Sequence, residues 1–188
     1  MTRLVDAAAE LLAFLREQRW RGCIIGGLAV QRWGEPRQTR DVDLTIVTGL
    51  GDEALFVDGL LNRFAGRVPA ARDFALQHRV LLLTAGNGVA LDIALGGLSF
   101  EERMVSRATT FVTTNTSLVT CSAEDLVVLK AFAGRAQDWL DVEAVIVRQG
   151  AALDRALIAS ELGPLLELKE DNSPLAMLDA LFAKHPPR

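Results

Sequence analysis

Thr39-Arg40-Asp41-Val42-Asp43-Leu44-Thr45-Ile46-Val47 alternates from Asp41 onward, with Val42, Leu44 and Ile46 on one side and Asp41, Asp43 and Thr45 on the other. Strand side chains repeat every two residues, so the run predicts a β-strand with an apolar face and a carboxylate face. Asp41 and Asp43 then share that second face, with Cα atoms roughly 6.6 Å apart. Two carboxylates so placed can converge on one metal ion, or bridge a pair of ions about 3.5–4 Å apart. The alternative is a pair of solvated edge-strand residues matched to Arg37 and Arg40.

Upstream, Cys23-Ile24-Ile25 reads as a short buried strand after Gly22. Gly26-Gly27 follow, and Leu28 to Trp33 reads as a short helix closed by Gly34. A glycine pair between a strand and a helix N-terminus presents backbone N–H groups to an anion, where the helix dipole also favours negative charge. Glu35 to Arg40 is a polar loop containing Pro36. Leu4, Ala8, Leu11, Leu12 and Leu15 recur at helical spacing, which predicts an amphipathic helix over residues 3–18.

Downstream, Thr48 to Gly51 is a turn, and a helix is predicted from Asp52 to about Phe64. Residues 66–78 show no clear period. Arg79 to Thr84 and Val89 to Leu95 are apolar strands around Gly86-Asn87-Gly88, a strong hairpin signal. Phe100 to Arg107 reads as helix, and Thr109 to Thr120 as strand and turn. From Ser122, which with Asp125 resembles a capping box, the chain is helical. Gly150, Gly163-Pro164 and Ser173-Pro174 punctuate these later helices. The expected organisation is an α/β domain over residues 1–121, with a mixed sheet flanked by helices, and a helical bundle over residues 122–188.

Composition bounds the function. The chain has 188 residues, a net charge of −4 and 50% hydrophobic residues, enough to build a core and too many for wholesale disorder. A pI near 5.2 argues against a histone-like nucleic-acid coat. Cys23 and Cys121 make neither a disulfide framework nor a zinc cluster and read as buried small hydrophobes. The first residues carry no cleavable signal pattern and no apolar run is long enough to span a bilayer, so a cytoplasmic protein with no membrane partner is expected.

Asp92 lies within Val89-Ala90-Leu91-Asp92-Ile93-Ala94-Leu95. A carboxylate in an apolar strand is costly unless something pairs with it. If that strand lies beside the one bearing Asp41 and Asp43, three carboxylates meet. Magnesium is the natural ion, because the donors are hard oxygens with no His or Cys nearby. Farther on, Arg135, Asp138 and Asp141 are spaced to lie near one helix face, consistent with an exposed ion-pair ladder. Lys130 is one of only three lysines and sits between Leu129 and Ala131.

Ile25-Gly26-Gly27-Leu28-Ala29-Val30, Thr39-Arg40-Asp41-Val42-Asp43-Leu44 and Leu91-Asp92-Ile93 together resemble the nucleotidyltransferase fold of the DNA polymerase β superfamily. Glu124-Asp125-Leu126, followed by Lys130, Arg135, Asp138 and Asp141, is similar to the AbiEii/AbiGii toxin-type branch. The resemblance spans roughly residues 20–145. It implies an enzyme that moves an NMP from an NTP to an acceptor hydroxyl with release of pyrophosphate, assisted by two Mg²⁺ ions on Asp41, Asp43 and Asp92. It implies phosphate contacts from Gly26, Gly27, Lys130 and Arg135, with Arg40 a further candidate, and an orienting role for Asp138. It implies tRNA as acceptor and a cognate antitoxin as partner. A small-molecule acceptor of the aminoglycoside kind, or a non-catalytic binding module on this fold, is the alternative. One departure stands out: superfamily members often carry Gly-Ser at the turn, where this chain has Gly27 and then Leu28.

Overall fold

The computed structural model describes residues 2–113 and 116–186. It divides into two compact units, one formed by residues 1–28 and 38–121 and the other by residues 29–37 and 122–188.

In the first unit the described residues form one seven-stranded mixed sheet. Its strands are β1 (Gly22–Ile24), β2 (Asp41–Val47), β3 (Ala65–Gly66), β4 (Val80–Thr84), β5 (Ala90–Gly96), β6 (Thr109–Val112) and β7 (Ser117–Thr120). They lie in the order β3-β4-β5-β2-β1-β7-β6. The β2–β5 and β1–β7 pairs are parallel and the remaining neighbours antiparallel. β2 therefore sits in the middle and not at an edge. Val42, Leu44 and Ile46 are fully buried and share a core with Ala7, Ala8, Leu11, Leu12 and Leu15 of α1 (Thr2–Gln18).

Thr45 departs from the expected open face: it is only 1% exposed. Helix α5 (Ser99–Arg107) packs against β2, and a Cβ built on Gly96 would lie 3.1 Å from the Thr45 methyl and 3.2 Å from Glu101 Cβ. That end of the face is covered, whereas Asp41 and Asp43 at the other end are half-buried. Side-chain alternation chooses a face; only packing decides where along it solvent reaches.

The hairpin at Gly86–Gly88 forms between β4 and β5, with Gly88 at φ +83° and Asn87 Oδ1 accepting the Val89 N–H at 3.1 Å. The aperiodic stretch over 66–78 resolves into the end of β3 and helix α4 (Ala71–His78), whose Ala71 and Ala75 are buried one turn apart. The remaining helices of the segment are α2 (Gly26–Trp33) and α3 (Glu53–Arg63). The turn expected between β6 and β7 falls on residues 114 and 115, outside the described residues.

The second unit contains α6 (Ala123–Ala133), α7 (Ala136–Gln149), α8 (Arg155–Lys169) and α9 (Ser173–Lys184). Ser122 caps α6, its Oγ accepting the Asp125 N–H at 3.1 Å, and Gly134 ends that helix at φ +69°. Pro174 sits in the first turn of α9, where its missing N–H costs nothing. Gly163-Pro164 does not punctuate: α8 runs through it. A mid-helix proline costs about 3 kcal/mol, which the burial of Ile158, Leu162, Leu165 and Leu166 offsets. Residues 29–37 pack with this unit although they precede β2 in the chain. Arg148 donates to the Gly34 carbonyl at 2.6 Å and Gln149 to the Trp33 carbonyl at 2.7 Å. Among the described residues no helix is long and apolar enough to cross a membrane.

Candidate active site

Parallel pairing of β2 with β5 puts Asp43 directly opposite Asp92, with Asp41 opposite Ala90. One carboxylate oxygen from each of Asp41, Asp43 and Asp92 lies within 4.8 Å of the others. All three are half-buried, so they are held by the sheet yet reachable. An all-oxygen donor set at this spacing suits a hard divalent cation such as Mg²⁺.

The glycine turn is built against this trio. Ile25 N–H donates to the Asp43 carbonyl at 2.9 Å, which brings the end of β1 beside the start of β2. Gly26 then takes φ +57°, and a Cβ there would stand 1.9 Å from Asp43 Oδ2. Only glycine fits, for both conformation and space. The Gly27 N–H points at the same Oδ2 at 3.4 Å.

A Cβ on Gly27 would come within 2.4 Å of Thr39 Oγ1 and 2.7 Å of Thr39 Cβ. Thr39 thus fills the space that a residue-27 side chain would need. Its hydroxyl lies 3.0 Å from Asp41 Oδ1. Thr39 sits in the polar loop, where sequence offered no signal for this contact. Arg40, the neighbouring candidate, is exposed.

Asp92 has an ion-pair partner that sequence reasoning missed, Arg67, whose Nη2 meets Asp92 Oδ1. Arg67 lies in the aperiodic stretch, so no pattern could have placed it. Burial pushes the Asp92 carboxyl above its ordinary range; Arg67 opposes this and the negative charge of Asp41 adds to it.

Lys130, Arg135, Asp138 and Asp141 belong to the second unit. In place of an exposed ladder, Lys130, Asp138 and Asp141 form a buried network, which the exposed Arg135 side chain reaches from outside. Asp138 is 1% exposed and Asp141 2%. Lys130 Nζ lies 2.8 Å from Asp138 Oδ1 and 2.9 Å from Asp141 Oδ2. Arg37 grips Asp141 through Nε at 2.7 Å and Nη2 at 2.9 Å, and Arg135 Nε reaches Asp138 Oδ2 at 2.6 Å. Burial raises both aspartates, but the hydrogen bonds from Arg135 and Lys130 to Asp138, and from Arg37 and Lys130 to Asp141, outweigh it and leave both below the usual range. Spacing located the helix face correctly but could not say that α6 and α7 close over it.

The fold is that of nucleotidyltransferases. The chain is similar to the antibiotic-resistance factor ANT(2'')-Ia in solution, with a TM-score of 0.61 and 16% identity over 90% of this chain and 96% of that one. ANT(2'')-Ia has also been solved in complex with adenylyl-2''-tobramycin. An antigenic nucleotidyltransferase-like protein from Paracoccidioides brasiliensis matches at TM-score 0.51 and 17% identity, over 100% of this chain and 93% of that one. The lincosamide antibiotic adenylyltransferase LnuA, lincomycin-bound, matches at 0.50 and 11%, over 74% of this chain and 94% of that one. No protein-family model and no curated protein matches the chain.

Proposed function

We propose that the chain is a magnesium-dependent nucleotidyltransferase, moving an NMP from an NTP to an acceptor hydroxyl as pyrophosphate leaves. The observation that carries this reading is the convergence of Asp41, Asp43 and Asp92 beside the Gly26-Gly27 turn. These three carboxylates would hold Mg²⁺, with two ions proposed. Bound there, magnesium supplies Lewis-acid activation and neutralises charge on the transferring phosphoryl group.

The chain's own residues then have separable tasks. Thr39 orients Asp41 and the Gly27 N–H orients Asp43. Gly26 and Gly27, opening α2, bring main chain close to the polyphosphate, with the helix dipole favouring its charge. Asp92 would accept the acceptor hydroxyl proton or ligate the metal, and the exposed Arg40 would contact phosphate. The resemblance assigns Lys130 and Arg135 to phosphate and Asp138 to orientation, and these roles belong to the same proposal.

The acceptor is the finer question. ANT(2'')-Ia with adenylyl-2''-tobramycin and lincomycin-bound LnuA support a small-molecule acceptor. A net charge of −4 suits a cationic small molecule better than tRNA. The toxin-type branch, with tRNA as acceptor and an antitoxin partner, rests on the sequence resemblance. Incubation with labelled NTPs, Mg²⁺ and either total tRNA or a panel of aminoglycosides and lincosamides separates them. Label on RNA supports the toxin reading, and label only on an antibiotic supports the small-molecule reading. Absence of transfer to any acceptor, with folded protein and Mg²⁺ present, would overturn nucleotidyl transfer.

A further inference from the structure

Arg67 is set in a row with the carboxylates by main-chain pairing. Its N–H donates to the Leu82 carbonyl at 2.9 Å, just beyond β3. Leu82 on β4 is paired with Asp92 on β5, and Asp92 with Asp43 on β2. Side chains in register across neighbouring strands leave the sheet on the same face. The row Arg67, Leu82, Asp92, Asp43 therefore brings a guanidinium to the carboxylate face without a flexible loop having to find it. Arg67 Nη2 engages Asp92 Oδ1, and the two side chains are 37% and 31% exposed.

That exposure matters. A fully buried pair would be held by desolvation and costly to separate. A half-exposed pair parts at little cost, because a released guanidinium is rehydrated. Asp41, Asp43 and Asp92 bring three negative charges together, and Arg67 offsets one of them. A divalent cation entering the cluster offers the same carboxylate a second partner of like sign.

Resting on the metal reading above, we propose that Arg67 is a built-in counter-ion of the trio. Its guanidinium and a divalent cation compete for Asp92, so that cation binding releases Arg67 while its main chain keeps it beside the site. Arg67 is thus a positioning residue for the cation-free site, and its effect on metal affinity is opposite in sign to that of a residue that orients a ligand for metal.

Mn²⁺ binding to the full chain, followed by the electron-paramagnetic-resonance signal of the free ion, tests the sign. Arg67→Gln should bind Mn²⁺ about fivefold more tightly than wild type, the change expected for loss of a half-exposed ion pair. Arg67→Lys, which keeps the charge, should stay closer to wild type. With EDTA, Arg67→Gln should melt no higher than wild type, and its stabilisation by Mn²⁺ should be larger. Equal or weaker Mn²⁺ binding by folded Arg67→Gln would overturn competition and make Arg67 an orienting residue. Binding by neither protein would overturn the metal reading itself, and the counter-ion role with it.

Discussion

Asp43 on β2 and Asp92 on β5 face each other across a parallel strand pair, forty-nine residues apart in the chain but in direct register. The register is continuous from Asp41↔Ala90 to Val47↔Gly96, so the meeting of the two carboxylates is set by seven consecutive pairings rather than by one contact. A one-residue slip would send one carboxylate to the opposite face.

Asp43→Asn should remove nucleotide transfer while leaving the circular dichroism spectrum unchanged. The amide keeps the shape and still faces the Gly27 N–H, but it lacks the charge a hard cation requires. A loss of at least about tenfold, near 1.4 kcal/mol in transition-state stabilisation, is expected from initial rates at saturating Mg²⁺.

Asp92→Asn should raise the melting temperature in EDTA by about 1–2 °C, and shrink the stabilisation given by Mg²⁺. Burial and the Asp41 charge hold the Asp92 carboxyl above its ordinary value of 3.8 despite Arg67. A carboxyl raised in the folded state contributes stability below 3.8 that is lost as pH rises through its folded value. The advantage of the variant should therefore grow as pH rises from 3.8 through the folded value and level off above it. Melts across pH 3.5–7, at intervals of about half a unit, read this directly.

Gly26→Ala and Gly88→Ala both place a Cβ at positive φ, +57° and +83°. Each should lose about 1–2 kcal/mol of stability in urea unfolding. Only the first should also lose Mn²⁺ binding and transfer, because its Cβ collides with Asp43 Oδ2, whereas the nearest atom at Gly88 is Arg3 Nη2 at 3.6 Å.

Lys130→Met should cost about 3 kcal/mol in urea unfolding, since it leaves two buried carboxylates without the ammonium between them. Asp138 and Asp141 sit below the ordinary aspartate value of 3.8, so their contribution is present above it and fades as pH falls through their folded values. The gap between wild type and variant should narrow in that acid range. NTP affinity measured by calorimetry on folded Lys130→Met then reports any phosphate role separately from folding.

Much of this architecture was legible in order along the chain. The strict alternation of β2, the 3–4 spacing of α1, the hairpin glycines and the Ser122 cap are local signals, because backbone geometry alone dictates which side chains share a face. Asp41 and Asp43 were placed together by that rule, and Asp92 was marked by the cost of a carboxylate in an apolar strand. Neighbours across strands are another matter. Sequence could state that Asp92 needs a partner, but Arg67 became that partner through the register of β3, β4 and β5. Thr39 likewise answers Gly27 and Asp41 only once the loop before β2 lies over the turn after β1. Thr45 shares the period of Asp41 and Asp43 but is buried, since α5 covers one end of the face and leaves the other open. Arg135, Asp138 and Asp141 have the spacing of an exposed ladder, and the pairing of α6 with α7 buries Asp138 and Asp141 against Lys130. Periodicity assigns a side chain its direction; its solvent and its partner are properties of what else packs there, and no local pattern carries them.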